Sequence, residues 1–267
     1  MSFSSLTMKL FAAALFFLLS LVPASAKLIT RTVDYTDEKG TALQGYVAYD
    51  DAVSGQRPGV IVLHDWRGLT DYTQMRADLL AKLGYIAFAA DIYGKGVRPQ
   101  SLPEYQKQVG IYKGDRALYR ERGRAAFAAL LKQPLVDPIR IAAIGYCFGG
   151  TGVIEMARDG LDLKGIVSFH GGLDSQQLSP GATIKPKILA LCGADDPYEK
   201  PDDMKAFEQQ LRDNNVDYRI VMYGHAVHAF TDPGVDALHQ SGAKYNAAAD
   251  KRSWQAMQDF FAEIFAK

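Results

Sequence analysis

Apolar and polar residues alternate in blocks along this chain, and the blocks predict strands and helices in turn. Residues 27–34 and 41–49 are two extended segments around the turn-forming residues 37–40, which predicts a β-hairpin. Residues 58–63 form a continuous apolar run, which is typical of a parallel strand buried on both faces. The chain is therefore predicted to open with a hairpin and to continue into a buried sheet.

The remaining blocks repeat the same order of strand and helix. Further strands are predicted at residues 85–90, 141–146, 165–169, 187–192 and 218–223. Helices are predicted near residues 72–83, 115–132, 148–158, 201–213 and 243–265. Repeated units of this kind predict an α/β fold with a mostly parallel central sheet and helices on both faces. We expect residues 27–267 to form one such domain, because no linker or repeat divides them.

The N-terminal segment, residues 1–26, predicts a secretory signal peptide. Lys9 is followed by an apolar run over residues 10–22 and then by the small residues 24–26. The run is shorter than the ~20 residues that a membrane-spanning helix needs. We therefore expect cleavage after Ala26 and a mature protein that is periplasmic or secreted and not held in the membrane.

The charge balance argues against a polyanionic partner. Thirty basic residues face thirty acidic ones, without the basic stripe that nucleic-acid-binding proteins carry. The chain has two cysteines, Cys147 and Cys192. Cys192 ends an apolar strand-like run, so a buried free thiol is expected there rather than a disulfide. We expect a monomer that takes a small-molecule substrate.

The residues around Cys147 carry the strongest chemical signal in the chain. The apolar run 141–146 leads into a cysteine flanked by Gly145 and Gly149, and helix-like sequence follows. A nucleophile elbow has this form, because a sharp strand-to-helix turn needs small neighbours. Unpaired N–H groups at the start of the helix also favour a thiolate. The pattern predicts a catalytic cysteine, and the alternative is a buried cysteine that only fills space.

Polar residues follow most of the predicted strands. In chain order they are His64 and Asp65, Asp91, Cys147, His170, Asp195 and Asp196, and His225 and His228. The carboxyl ends of parallel strands meet at one edge of a sheet, where ligands bind. The order of nucleophile, acid and histidine is also that of α/β-hydrolase triads.

Over residues 27–267 the chain resembles the dienelactone hydrolase family of α/β-hydrolases. The matching motifs are Gly145-Tyr-Cys147-Phe-Gly149-Gly150, Asp91-Ile-Tyr93, Gly193-x-x-Asp196 and His228-x-Phe230. The resemblance implies an α/β-hydrolase fold and a triad of Cys147, Asp196 and His228 that hydrolyses carboxylic esters or lactones without a cofactor. It also implies an oxyanion hole formed by the backbone amides of Phe148 and Trp66.

The residue types of the implied triad suit that chemistry. A thiolate attacks the carbonyl, a histidine holds the proton and later protonates the leaving oxygen, and a carboxylate fixes the imidazole tautomer. Physical reasoning from the sequence does not choose between His228 and His225, or between Asp196 and Asp195. The spacing of the family motifs favours His228 and Asp196.

Three positions depart from the best-known members of the family, which pair a glutamate with the resting thiol and hold a substrate carboxylate with two arginines. Asp65 stands at the glutamate position, Lys95 replaces one arginine, and Asp232 occupies the place of the other. A fork of two guanidiniums for a planar carboxylate is therefore absent. We expect a substrate other than dienelactone.

Some nearby residues are candidates for substrate binding or for activation of the thiol. They are Asp65, Tyr93 and Lys95. Tyr93 and Trp66 can line an apolar pocket or serve only in packing. His64 can contact substrate or be a structural histidine, and structural use is also favoured for His170 at the floor of the site. The histidines and aspartates match no known ligand motif, so no metal site is expected.

Two further segments have open or surface roles. Residues 94–114, with Pro99 and Pro103, can form a cap over the pocket or an ordinary surface connection. The arginines of the helix predicted at 115–132 are expected on its solvated face; they are Arg120, Arg122 and Arg124.

The sequence therefore predicts an ester or lactone hydrolase that works through an acyl-thioester. The alternative enzymatic function is that of a thioesterase or another acyl hydrolase that uses the same triad. The alternative from another class is an exported binding or redox-sensing protein whose Cys147 is oxidised without turnover. A binding protein would have no need of an acid and a histidine in register with the cysteine.

Overall fold

The computed structural model describes residues 27–174 and 176–266. The signal peptide predicted at residues 1–26 lies outside the described residues and stays a prediction. Within the described residues, no helix is both long enough and apolar enough to cross a membrane.

One mixed sheet organises the described residues. Its strands in chain order are β1 (Leu28–Thr36), β2 (Ala42–Asp50), β3 (Arg57–Leu63), β4 (Ile86–Ala90), β5 (Val136–Tyr146), β6 (Gly165–Phe169), β7 (Lys187–Gly193) and β8 (Tyr218–Tyr223). Their spatial order is β1-β2-β4-β3-β5-β6-β7-β8. The predicted hairpin is confirmed as the antiparallel pair β1 and β2. Strands β3 to β8 are all parallel to one another.

Six α-helices of the described residues pack on this sheet. They are α1 (Asp71–Lys82), α2 (Leu102–Gly114), α3 (Arg116–Leu131), α4 (Phe148–Arg158), α5 (Pro201–Asp213) and α6 (Ala247–Ile264). Helices α1 and α6 cover one face of the sheet, and α3, α4 and α5 cover the other. The predicted α/β architecture, with a mostly parallel sheet and helices on both faces, is confirmed.

The central strand β3 shows why the sheet is buried on both sides. Ile61 and Leu63 point into the core shared with α3 and α4, while Val60 and Val62 point into the core under α1 and α6. Successive side chains of a strand alternate between faces, so a run without polar residues fits only a strand covered twice.

Helix boundaries differ from prediction at two places. Helix α2 lies inside residues 94–114, where no helix was predicted. Its Pro103, Gly110 and Gly114 are residues that usually favour a loop. Pro103 stands in the first turn of α2, where a missing N–H costs nothing. Helix α6 begins at Ala247 rather than near residue 243, because the Asn246 side chain accepts the Ala249 N–H at 3.1 Å and caps it.

The arginines of α3 correct a second expectation. Arg120 and Arg122 are buried rather than solvated. The Arg120 guanidinium lies 2.7 Å from the Glu155 carboxylate of α4, and Arg122 pairs with Asp37 in the hairpin turn. Only Arg124 is partly exposed. Helix α3 is covered on two sides, and charges on a covered face must be paired.

Candidate active site

Cys147 stands at the turn between β5 and α4 with φ 54° and ψ −114°. A residue other than glycine is strained in this region of backbone space, as the nucleophile of an elbow is. A Cβ at Gly145 would overlap the carbonyl of Gly149, and a Cβ at Gly149 would overlap the backbone of β3 at Leu63. Both glycines are therefore required for the turn, as the sequence predicts.

His228 and Asp196 lie in line with the sulfur. The His228 Nε2 is 2.9 Å from the Cys147 Sγ, and the His228 Nδ1 is 2.8 Å from the Asp196 Oδ2. The second oxygen of Asp196 accepts the Tyr198 N–H at 2.9 Å, which holds the carboxylate in place. Three residues from the ends of β5, β7 and β8 thus form one hydrogen-bonded line at the carboxyl edge of the sheet.

The two close competitors lie outside this line. His225 is exposed, and its carbonyl accepts a hydrogen bond from Asn246. Asp195 is exposed, and its backbone N–H donates to the Ala226 carbonyl. Neighbouring residues along an extended segment point to opposite sides, so only one aspartate of the pair reaches the imidazole.

His228 is held in its charged form. Burial disfavours an imidazolium, but the charge of Cys147 and the hydrogen bond that His228 donates to Asp196 outweigh it and raise the pKa of His228 to about 10. The line therefore places a cationic imidazole between a carboxylate and a sulfur at neutral pH. This pairing favours a nucleophilic sulfur and provides a proton donor beside it.

Two backbone amides are candidates for the predicted oxyanion hole. They belong to Trp66 and Phe148, which line the same cavity as Cys147. Neither N–H takes part in the backbone hydrogen bonds of the described residues. At the first residue of α4 this is expected, because the first amides of a helix have no acceptor within it. Both amides are thus free to bind a negatively charged oxygen.

Buried side chains fix the loop that carries Trp66. The His64 Nδ1 lies 2.6 Å from the Asp65 carbonyl, which can only accept, so His64 donates there and its Nε2 accepts the Ile92 N–H at 3.2 Å. The Tyr93 hydroxyl donates to the Trp66 carbonyl at 2.9 Å. His64 is therefore a satisfied structural histidine, and Tyr93 is a packing residue that supports the loop.

His170 supports the elbow from the neighbouring strand. Its Nδ1 accepts the Cys147 N–H at 3.1 Å, so the proton lies on Nε2, 2.7 Å from the Thr231 hydroxyl. Burial, with the charges of His228 and Arg76, lowers the pKa of His170 well below its ordinary value. His170 is therefore a neutral imidazole that holds the backbone of Cys147, in line with the structural role expected.

The Asp65 carboxylate is bonded to Arg67. Arg67 donates to it from its backbone N–H at 2.8 Å and from its guanidinium, and the same guanidinium lies 2.6 Å from the Asp232 carboxylate. Within the described residues Asp65 makes no hydrogen bond to the Cys147 sulfur, so the predicted activating contact is absent. Arg67, which the sequence analysis did not single out, lies beside Cys147 but is already neutralised by two carboxylates.

Lys95 does not belong to the site. Its ammonium pairs with Asp34 of β1 at 2.7 Å, and it borders a separate surface cavity between the hairpin and α3. The predicted substrate contact of Lys95 is therefore corrected. The Asp91 carboxylate accepts the amides of Tyr93 and Gly94, and this turn carries the segment after β4 toward the hairpin.

The cavity above Cys147 has a volume of about 190 Å³ and is partly open to solvent. Val109 and Lys113 of α2 form one wall, so residues 94–114 lie against the site. Glu199, which also lines the cavity, has a buried oxygen without a hydrogen-bond partner among the described residues. Burial raises the pKa of Glu199 to about 7. Among the described residues, no cluster of three or more His, Cys, Asp or Glu side chains is arranged to hold a metal ion.

Several residues at the site were missed by sequence reasoning. They are Arg67, Lys113, Tyr198, Glu199 and Thr231. Arg67 and Thr231 adjoin residues that were singled out, so the loops after β3 and β8 could have suggested them. Tyr198 and Glu199 follow Asp196 in the loop after β7.

The parallel sheet, the strained Cys147 and its line of histidine and aspartate define an α/β-hydrolase. Residues 43–265 match the model of the dienelactone hydrolase family. The chain therefore belongs to the dienelactone hydrolase family and is a hydrolase.

Known proteins similar to this chain include a solved structure of a dienelactone hydrolase-like promiscuous phosphotriesterase from metagenomic libraries. It is 41% identical, with a TM-score of 0.86 over 90% of this chain and 99% of its own. A Synechocystis protein named as a candidate carboxymethylenebutenolidase is 27% identical over 82% of this chain and 91% of its own. A Bradyrhizobium protein named as a candidate 2-oxo-3-(5-oxofuran-2-ylidene)propanoate lactonase is 26% identical over 80% and 90%.

Proposed function

We propose that this protein hydrolyses uncharged carboxylic esters or lactones through an acyl-thioester on Cys147. The observation that carries the proposal is the line from the Cys147 sulfur through His228 to Asp196, with contacts of 2.9 Å and 2.8 Å. Family membership supports the reaction class, since relatives are named after butenolide and lactone hydrolysis.

The first half of the reaction forms the thioester. The Cys147 sulfur attacks the carbonyl carbon, and the oxyanion that develops is bound by the N–H groups of Trp66 and Phe148. Each well-aimed amide lowers the barrier by about 3 kcal/mol. The carbon–oxygen bond to the leaving group then breaks as the His228 imidazolium protonates the departing oxygen. A lactone opens at this step, and its hydroxyl stays attached to the acyl group.

The second half releases the acid. His228, now neutral, takes a proton from water as the water oxygen attacks the thioester carbonyl. The carbon–sulfur bond breaks, and the sulfur again pairs with the imidazolium. Asp196 keeps the proton of His228 on Nδ1 throughout, so that Nε2 faces the reacting atoms.

The charges around the site favour an uncharged substrate. Arg67 lies near the sulfur, but Asp65 and Asp232 already occupy its guanidinium. A substrate carboxylate would have to compete with both aspartates for that guanidinium, which a neutral ester avoids. This arrangement argues against the carboxylate-bearing dienelactone as substrate.

The proposal is tested by locating the acyl group. The protein is mixed with p-nitrophenyl acetate and a panel of small lactones, quenched with acid, and digested for mass spectrometry. We expect turnover and an acyl group on the peptide that contains Cys147. A phosphotriester belongs in the panel because of the 41% identical relative. Turnover without acylation of Cys147, or no turnover of any ester or lactone, would refute the mechanism.

His64 provides a test of the oxyanion hole. The Asp65 carbonyl that accepts from His64 belongs to the same peptide unit as the Trp66 N–H, so His64 sets the direction of that N–H. We expect His64→Gln to lower kcat for p-nitrophenyl acetate roughly 10-fold. This loss is smaller than the loss of kcat that follows complete removal of one oxyanion-hole donor. His64→Asn should retain more activity, because its amide can still donate to the Asp65 carbonyl.

Alkylation by iodoacetamide separates this effect from damage to the elbow. The reaction forms no oxyanion, so Cys147 should be alkylated at similar rates in both variants and in the unchanged protein. Equal losses of kcat in the two variants, or a parallel fall in alkylation rate, would show that His64 serves packing alone.

A further inference from the structure

A second cavity of about 680 Å³ adjoins the one above Cys147. The two share three lining residues, Trp66, Tyr198 and Gln240. We call the second cavity the uncharged groove; it lies between residues 100–106 and residues 237–241. Because the shared residues border both spaces, the groove lies directly beside the candidate active site.

Contacts between its walls give the groove a defined shape. The Trp66 ring packs against the Tyr105 ring of α2 with centroids 5.3 Å apart. On the other side, the Tyr198 hydroxyl donates to the Ser241 carbonyl, and the Gln240 side-chain amide donates to Tyr198 at 3.3 Å. Aromatic side chains from three different loops or helices thus line a continuous path.

The lining is chemically distinct from the rest of the surface. Charged residues make up 22% of the chain, yet no Asp, Glu, Lys or Arg lines the groove among the described residues. Six of its twelve lining residues are Gln, Ser or His, and the other six are apolar or aromatic. Three of the latter are large and exposed, with Leu102 at 51%, Tyr198 at 49% and Leu238 at 37%. Apolar surface exposed together beside a catalytic cavity marks a binding site for an apolar group.

We propose that the uncharged groove binds an alkyl or aryl group of several carbons attached to the scissile ester. This inference rests on the proposed ester hydrolysis and extends it to a substrate class larger than a small lactone. The group can belong to the acyl part or to the leaving alcohol, since either is attached to the reacting carbon. The apolar lining accounts for either, and substrate series distinguish them.

The test compares two series of esters. The first lengthens the acyl part, from p-nitrophenyl acetate to butyrate and hexanoate. The second enlarges the leaving alcohol, from phenyl acetate to 1-naphthyl acetate. In at least one series we expect kcat/KM to rise roughly 10-fold, because each buried methylene adds favourable transfer free energy.

Variants then show whether the preference for larger substrates arises in the groove. Leu102→Asp and Leu238→Asp place a charge on opposite walls of the groove, and each should lower the ratio of large to small substrate about 10-fold. Ile139→Asp is the matched control, since Ile139 is 73% exposed on β5 away from the groove. It should leave the ratio unchanged. Melting temperatures show that each variant is folded.

The outcomes separate this inference from the proposed function. Acetate hydrolysis without any preference for size in either series would overturn the groove as a binding site and leave the mechanism standing. A ratio that falls equally in Ile139→Asp would also overturn it. If no ester is hydrolysed, the proposed function fails and the groove proposal fails with it.

Discussion

Replacing Cys147 or His228 with alanine is expected to lower kcat/KM for p-nitrophenyl acetate by about 10⁴-fold or more, with similar losses in the two variants. Members of a nucleophile and base pair act as a unit, so removing either one removes nearly the whole covalent pathway. The 2.9 Å contact between the Cys147 sulfur and the His228 Nε2 is the physical reason to expect such coupling here. Steady-state kinetics on the purified protein under reducing conditions measure the effect.

His225→Ala is the matched control, because His225 lies three residues away on the same loop and is exposed. It should change kcat/KM less than twofold, as surface substitutions usually do. A protein that loses its function in Cys147→Ala but keeps it in His228→Ala would fit the thiol-sensing alternative instead. In that case peroxide should oxidise Cys147 without any ester turnover.

Changing Asp196 to asparagine is expected to lower kcat about 10³- to 10⁴-fold with little change in KM. The Asp196 Oδ2 accepts from the His228 Nδ1 at 2.8 Å, so an asparagine amide would donate to Nδ1 and move the imidazole proton to Nε2. A neutral imidazole with its proton on Nε2 cannot accept a proton from sulfur or from water. The carboxylate also helps to raise the pKa of His228 to about 10, so its loss should lower that pKa.

Asp195→Asn serves as the control, since it makes the same chemical change one residue earlier on an exposed side chain. Its kcat should stay within about twofold of the unchanged protein. Equal losses in both aspartate variants would mean that the loop after β7, rather than the hydrogen bond to His228, controls activity. A larger loss in Asp195→Asn would contradict the assignment of the acid.

The charge cluster of Arg67, Asp65 and Asp232 shows how this chain differs from the best-known members of the dienelactone hydrolase family. An aspartate stands where a substrate-binding arginine is expected, and a different arginine, three residues after His64, lies against it. The cluster lines a small cavity beside Cys147 with paired charges. Substrate selection is therefore expected to come from the cavity and the uncharged groove rather than from a cationic fork.

Much of the fold followed from local patterns. The hairpin, the helix α5 and the strand β6 agree with the predicted ranges, because alternation, apolar runs and turn residues act between neighbours. The missed helix α2 has glycines and a proline that usually interrupt helices. It is nevertheless formed where its Tyr112 packs into the core, which is a tertiary contribution that local propensity does not contain.

Local sequence alone predicts the turn at Cys147 and the edge of the sheet at which the polar candidate residues lie. Gly145 and Gly149 admit the strained turn at Cys147, and parallel strands deliver the polar residues that follow them to one side. The packing of the whole domain brings His228 to the sulfur and Asp196 to His228 in place of their neighbours, pairs Lys95 with Asp34 away from the site, and bonds Asp65 to Arg67. These outcomes depend on contacts such as that between Arg67 and Asp232, 165 residues apart in the chain. Backbone sterics act between neighbouring residues and can be read from sequence, whereas the partner of a side chain is set by the packing of the whole domain.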